Sequence, residues 1–452
     1  MNGEIDKSLK NLDLGYLQIF LLSLPTVIAN FSVIFIGIVD LYFVGKFGAQ
    51  AITAVSIGVT AWWTLAYFFD GLRSAMVVSV AHCVGRKDNL GISRLLNAGF
   101  FLALLCGLFF LFFSNFIATK TCYLLSQDPG VIKLGIKFLK YLLPAAPFCF
   151  VMYVAEGFFR GIGNVYLPML LSIIVTIVSV FLDWVLIDGR LGFHAMGVDG
   201  AAVATSVAHV VGGILGFLLI IINRESRSYF LPDLGARRHL IQYAKIAIDA
   251  GIYSGLIQVA MLVFTAFLKD AGTVAQAANQ IANEVFNISF LPPMGYMVTA
   301  SMLVSTLLGR GQRDLIATTV RKLLIISFGS VAAISILTFL FSYRIAQFFS
   351  PADANVAMMA AQAIKIATVN QLLCAFSLVF RGALLGLGKS VFVRYCGILA
   401  TLFFFLPVAY LLMVTCGYGL SGGYAALCLW TLFVLILFAP AFYHYQKNLA
   451  ME

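Results

Sequence analysis

The chain has 452 residues, 62% of them hydrophobic and only 11% charged, with a formal net charge of +10. A soluble globular fold of this length could not enclose so much apolar surface, which excludes a soluble enzyme or a soluble nucleic-acid-binding domain and leaves a polytopic membrane protein. The positive charge is therefore read against the two sides of a membrane, and no nucleic-acid partner is expected.

Crossing the ~30 Å hydrocarbon layer takes about 20 apolar residues as a helix. Charged and turn-rich breaks divide the chain into twelve such segments, near residues 14–44, 51–81, 92–117, 133–159, 165–187, 197–222, 243–268, 279–308, 318–342, 357–386, 391–414 and 420–445. The leading MNGEIDKSLKNLD is polar and lacks the basic start and short apolar core of a cleavable signal peptide, so the first span is expected to stay in the mature protein.

The first span, LPTVIANFSVIFIGIVDLYFVG, contains Pro25 and, fifteen residues later, Asp40. An ionised carboxylate at mid-membrane costs at least roughly 2.5–3.5 kcal/mol, and a carboxylate that loses hydration is more readily protonated. Asp40 is thus a candidate for ion exchange. The second span carries Asp70 and Arg73, three apart on one helical face and expected to neutralise each other. The fourth ends in Glu156 and Arg160, the fifth carries Asp183, and the seventh carries Asp249 at the position equivalent to Pro25. Arg160 and Arg381 recur at the ends of spans four and ten, where bonding to helix-end carbonyls is expected.

With the N-terminus in the cytoplasm, 19 of the 29 Lys and Arg residues fall on cytoplasmic segments, 9 on the opposite side, and Arg73 within a span. The positive-inside rule then gives a multi-pass protein with both termini cytoplasmic, in the plasma membrane or the inner membrane of a bacterium. The cluster Arg224, Arg227, Arg237, Arg238 and Lys245 suits anionic lipid headgroups. The eight cysteines show no paired spacing and the five histidines no HExxH pattern, so neither a disulfide framework nor a metal enzyme is expected. GLGKS at residues 386–390 ends like a phosphate-binding loop but has Ala383 where its leading glycine should stand.

Sliding the chain on itself by 224 residues superposes Gly48, Ala51, Ala54, Ile57, Gly71, Val80, Gly85 and Arg86 on Gly272, Ala275, Ala278, Ile281, Gly295, Val304, Gly309 and Arg310. Phe159-Arg160-Gly161 matches Phe380-Arg381-Gly382, and GVDGAAVAT from Gly197 matches GLSGGYAAL from Gly419. Each copy holds an even number of spans, so both enter the membrane in the same sense. The expected architecture is an all-α integral membrane protein of twelve transmembrane helices in two pseudo-symmetric six-helix bundles, residues 1–225 and 226–452, with a cleft between them.

The stretches VDLYFVGKFGAQAITAVS, VAHCVGRKD, FRGIGNVYLP, LDWVLI, MGVDGAAVAT and NQIANEVFNISFLPPMGYMVTASMLVSTLLGRG resemble the multidrug and toxic compound extrusion (MATE) family, in order and over essentially the whole chain. The resemblance implies a secondary antiporter that expels organic cations or amphipathic compounds against entry of protons or sodium ions. One branch of that family carries its ion site in the N-terminal bundle. Asp40 matches that branch's first-helix acid, Pro25 its first-helix proline, Asp183 its fifth-helix acid and Thr205 its sixth-helix threonine, with sodium a candidate ion at Asp40 and Asp183. Where the branch has an asparagine, four residues before the fifth-helix acid, this chain has Ser179. In the second copy Gln258 and Asn370 stand where other branches place acids, while Glu284 matches an eighth-helix glutamate; with Asp249 these form a candidate second-lobe group.

Two carboxylates such as Asp40 and Asp183 on facing helices can share one proton. Pro25 removes a backbone hydrogen bond, and protonation of Asp40 is expected to change the bend of the first helix there. Aromatic and Met side chains would hold flat organic cations. No cofactor is expected beyond the coupling ion, and the partners expected are a small-molecule organic cation and membrane lipid, with the chain a monomer. One proton descending ~100 mV releases about 2.3 kcal/mol and one pH unit about 1.4 kcal/mol, but a monovalent cation exchanged one for one gains only the pH part. The alternative is a flippase of a lipid-linked substrate from the same superfamily. Its cleft would be cationic, whereas the candidate charges here are acidic.

Overall fold

The computed structural model describes residues 15–44, 49–125, 128–223, 226, 229, 237–268, 272–350 and 353–451. Among these the chain forms twelve long helices and no strand: α1 (Tyr16–Val44), α2 (Ala49–Arg86), α3 (Asn89–Leu125), α4 (Pro129–Gly161), α5 (Tyr166–Leu186), α6 (Val198–Ile222), α7 (Arg237–Phe267), α8 (Gly272–Gly309), α9 (Asp314–Leu340), α10 (Ala354–Gly386), α11 (Ser390–Thr415) and α12 (Gly419–Met451). Eleven contain a stretch long and apolar enough to cross a membrane. The twelfth, α2, is interrupted by Asp70 and Arg73 but has 38 residues, about 57 Å at 1.5 Å per residue. These helices coincide one for one with the twelve expected spans, and the protein is a multi-pass membrane protein.

Local chemistry sets several boundaries. Asp128 Oδ1 accepts from the Gly130 and Val131 amides at 2.7 and 3.3 Å, capping α4 with Pro129 at its first position. Asp353 caps α10 in the same way, accepting from the Asn355 and Val356 amides. Leu143–Ala145 form a short 3₁₀ turn inside α4 around Pro144. In α11, two π-helical stretches, Leu399–Phe405 and Leu411–Thr415, flank the turn containing Pro407, whose missing N–H cannot complete an ordinary ladder.

Two compact units divide the chain: residues 28–251 form one, and residues 1–27 with 252–452 form the other. The chain passes between them inside α1, after Val27, and inside α7, after Gly251. These two points lie 224 residues apart, the offset of the internal repeat. Pro25 and Asp249 each stand two residues before a crossing. Relative to the expected division at residue 225, the first half of α1 groups with the second copy and the first half of α7 with the first.

Glycines let the helices of the 28–251 unit approach closely. A Cβ on Gly157 would lie 2.6 Å from the Arg73 carbonyl oxygen, and one on Gly161 2.7 Å from Val80 Cβ. Spaced four apart, they form a small-residue seam between α4 and α2. In the other unit Gly382 and Gly386 of α10 do the same against α8, where a Cβ on Gly382 would meet the Met297 carbonyl oxygen at 2.1 Å. The repeated FRG glycine is thus a packing residue in both copies. Large exposed side chains such as Leu105, Phe112 and Phe116 on α3 are suited to lipid.

Candidate functional site

α5 is apolar apart from one stripe. Ser172, Thr176, Ser179 and Asp183 follow one another at intervals of four, three and four residues, which sets them on one face, and all four are buried. Asp183 and Ser179 are 0% exposed. Thr176 Oγ1 donates to the Ser32 carbonyl of α1 at 3.1 Å and also lies 2.9 Å from the Ser172 carbonyl of its own helix.

α6 packs on α5, and glycine contacts fix the register. A Cβ on Gly212 would touch Val175, one on Gly216 would touch Leu171, and one on Gly200 would touch the Leu186 backbone. This antiparallel register sets Asp183 level with Ala204 and Thr205, and Ser179 level with Ala208 and His209. Thr205 is also buried. The hydroxyls of Ser179 and Thr205 have no hydrogen-bond partner among the described residues. Three of the expected ion-coupling residues are therefore brought to one region of one unit. Position 40 lies in α1, and the Asp40 side chain lies outside the described residues.

The opposite end of the stripe meets a charged cluster. Ser172 Oγ donates to Glu156 Oε1 at 3.1 Å, and Arg73 Nη1 donates to Glu156 Oε2 at 2.9 Å. Arg73 also pairs with Asp70, as expected from their spacing, and its guanidinium stands 5.2 Å from the centre of the Tyr153 ring. Arg160 Nη2 lies 3.7 Å from Glu156 Oε2. Two acids and two arginines thus balance inside the bundle, as burial of charge requires. The sequence left Glu156 unassigned because its partner is 83 residues away.

The two repeated arginines have side-chain neighbours. Arg160 is 1% exposed and faces Glu156, with Nε and Nη2 making no hydrogen bond to a described residue. Arg381 donates to Ser254 Oγ at 3.1 Å and stacks 3.9 Å from the Tyr253 ring centre. Of the basic cluster, Arg224 and Arg227, and the side chains of Arg237 and Arg238, lie outside the described residues.

The remaining candidates are dispersed. Pro25 is buried within α1, and the neighbouring Ser23 Oγ donates to the Ile19 carbonyl and lies 2.9 Å from Thr299 Oγ1 of α8. Asp249 is buried in the 28–251 unit, while Gln258, Glu284 and Asn370 belong to the other unit. Glu284 is half-buried and accepts from Gln280 Nε2 at 3.1 Å. Asn370 is buried with Cys374 Sγ 3.9 Å from its Oδ1, and Gln258 is half-buried. Among the described residues no group of three His, Cys, Asp or Glu side chains could hold a metal ion.

Comparison with known proteins places this geometry. The probable multidrug resistance protein NorM of Thermotoga maritima is 24% identical over 413 residues, covering 90% of this chain and 88% of that one. The probable NorM of Agrobacterium fabrum is 27% identical over 383 residues, covering 81% and 80%. A solved structure of a multidrug resistance MATE family transporter in an outward-facing conformation superposes with a TM-score of 0.89 at 19% identity over 98% of each chain. A MATE structure in a bent conformation gives a TM-score of 0.86 at 19% identity, also over 98% of each chain. These structural likenesses support the two-lobed, twelve-helix fold. The MatE family model matches residues 25–185 and 250–411, one match in each copy of the repeat, and the chain belongs to that family.

Proposed function

We propose that this protein is a multidrug efflux transporter that exchanges organic cations or amphipathic drugs for protons by alternating access, in the plasma membrane, with both termini cytoplasmic and as a monomer. The observation that carries the reading is Asp183, fully buried on α5 at the height of Thr205, with Ser179 one turn away. A buried carboxylate can hold either a proton or a charge, and a proton and a cationic drug compete for that charge.

Asp40 belongs to the same reading by position. The Thr176–Ser32 bond pairs α5 with α1. Three intervening crossings make these helices run in the same sense, so eight residues further along both, position 40 stands level with position 184. Asp40 and Asp183 then act as one titrating pair. Names of the relatives agree with a drug substrate, since each is called a multidrug resistance protein, and they give the flippase alternative no support.

The test is efflux of a fluorescent aromatic cation from proteoliposomes under separately imposed pH and sodium gradients. Acceleration by the pH gradient alone supports the reading. Acceleration by sodium alone replaces the proton with sodium, and stimulation by neither gradient rejects cation-coupled exchange.

A further inference from the structure

His209 stands at the middle of α6, eleven residues after Val198 and thirteen before Ile222. Its Nδ1 lies 2.7 Å from the carbonyl oxygen of Thr205, one turn earlier. A carbonyl only accepts, so Nδ1 carries the hydrogen and the neutral ring presents its lone pair at Nε2. Nε2 has no hydrogen-bond partner among the described residues. The ring packs edge-on to buried Trp62 of α2, 5.3 Å between centroids at 74°.

The ring is half-buried, and an apolar residue would fill the buried part of this space equally well, so packing alone is a poor reason for an imidazole here. The second copy makes the contrast. The 222-residue offset between Gly197 and Gly419 carries His209 onto Thr431, and the 221–222-residue offset carries Asp183 onto Phe404 or Phe405, none of which titrates.

Most charges on the helices around α6 are already engaged. Lys137 of α4 pairs with Asp199, while Glu156 and Arg160 of α4 are bound up with Arg73 and Asp70 of α2. Lys133, Lys140 and Tyr141 of α4 are exposed, and buried Tyr153 stands against Arg73. The charged group of α5 is Asp183, which stands level with residues 204 and 205 of α6, a little over one helical turn from the height of His209.

We infer that His209 carries a second coupling proton at Nε2, so that two protons enter for each monovalent cation expelled; this rests on the antiport reading above. The Nε2 lone pair takes a proton from the outer side, giving an imidazolium that keeps its Nδ1–H on the Thr205 carbonyl. The same nitrogen releases that proton to the inner side when the drug cation binds, because two like charges in one low-dielectric unit repel. Trp62 stabilises the charged ring while it lasts. With one proton per monovalent drug, exchange would move no net charge. The second proton lets the membrane potential drive it.

The experiment measures charge moved per ethidium expelled, by recording current from protein-loaded vesicles on a solid support in parallel with ethidium fluorescence. The wild type should move about one positive charge inward per ethidium, and His209→Gln close to none. Wild-type exchange without current, or a variant with the wild-type ratio, overturns the inference while leaving antiport intact. Failure of a pH gradient to drive wild-type exchange removes the antiport reading and this inference with it. Should His209→Gln not fold, a chain keeping His209 as its sole histidine, with His82, His194, His239 and His444 changed to Gln, can be titrated by ¹⁵N NMR in lipid nanodiscs. Nε2 should take up a proton as the pH is lowered and lose that proton on addition of ethidium. A ring that stays neutral throughout overturns the inference.

Discussion

Arg73 Nη1 donates to Glu156 Oε2 at 2.9 Å beside the Gly157 contact of α4 with α2. Glycine 157, adjacent to the acid, lets the Arg73 backbone approach, so the pairing of charge and the packing of backbone depend on each other. Asp70 and Arg160 complete the balance from either side.

Removing the central acid should therefore be costly. Glu156→Gln leaves the buried Arg160 and the partly buried Arg73 short of charge and is expected to destabilise the protein by roughly 3 kcal/mol. Asp70→Asn, at a side chain still one-fifth exposed, should lose no more than about 1 kcal/mol. Thermal unfolding of both variants in the same detergent checks the order.

Gly157→Val should cost about 1–3 kcal/mol, because the added atoms meet backbone instead of a movable side-chain end. Gly329→Ala in α9 provides the contrast: nothing lies within 4 Å of a Cβ there. It should be neutral or stabilising by up to about 1 kcal/mol. Equal losses at the two sites would contradict the account of the α2–α4 seam.

Pro25→Ala restores an N–H to the interior of α1, two residues before the chain passes between units. The helix should stiffen there. A higher unfolding temperature together with slower drug exchange is the expected result, measured on one preparation. Unchanged exchange would reduce Pro25 to a packing residue.

Much of this arrangement was legible in the chain. Twelve apolar stretches became twelve helices because a span's length is set by the bilayer and its backbone must bond internally. The i, i+3 spacing of Asp70 and Arg73 announced a pair, since helix geometry is local. Glu156 and His209 were not legible. The first finds Arg73 through packing between sequence-distant helices, and the second shows its role only when the register of α5 on α6 sets Ser179 beside its height. The exchange of half-helices at Val27 and Gly251 was hidden for the same reason: hydropathy counts crossings but carries no record of which bundle each half joins.

The central claim is that proton and drug compete for the carboxylates of the 28–251 unit. Its most direct measurement is proton release, followed with a pH indicator in weakly buffered detergent solution, as an organic cation binds. Wild-type protein should release protons in proportion to the cation bound, and Asp183→Asn should release at most half as many per cation. Binding without release, or the same release from Asp183→Asn as from the wild type, would contradict it.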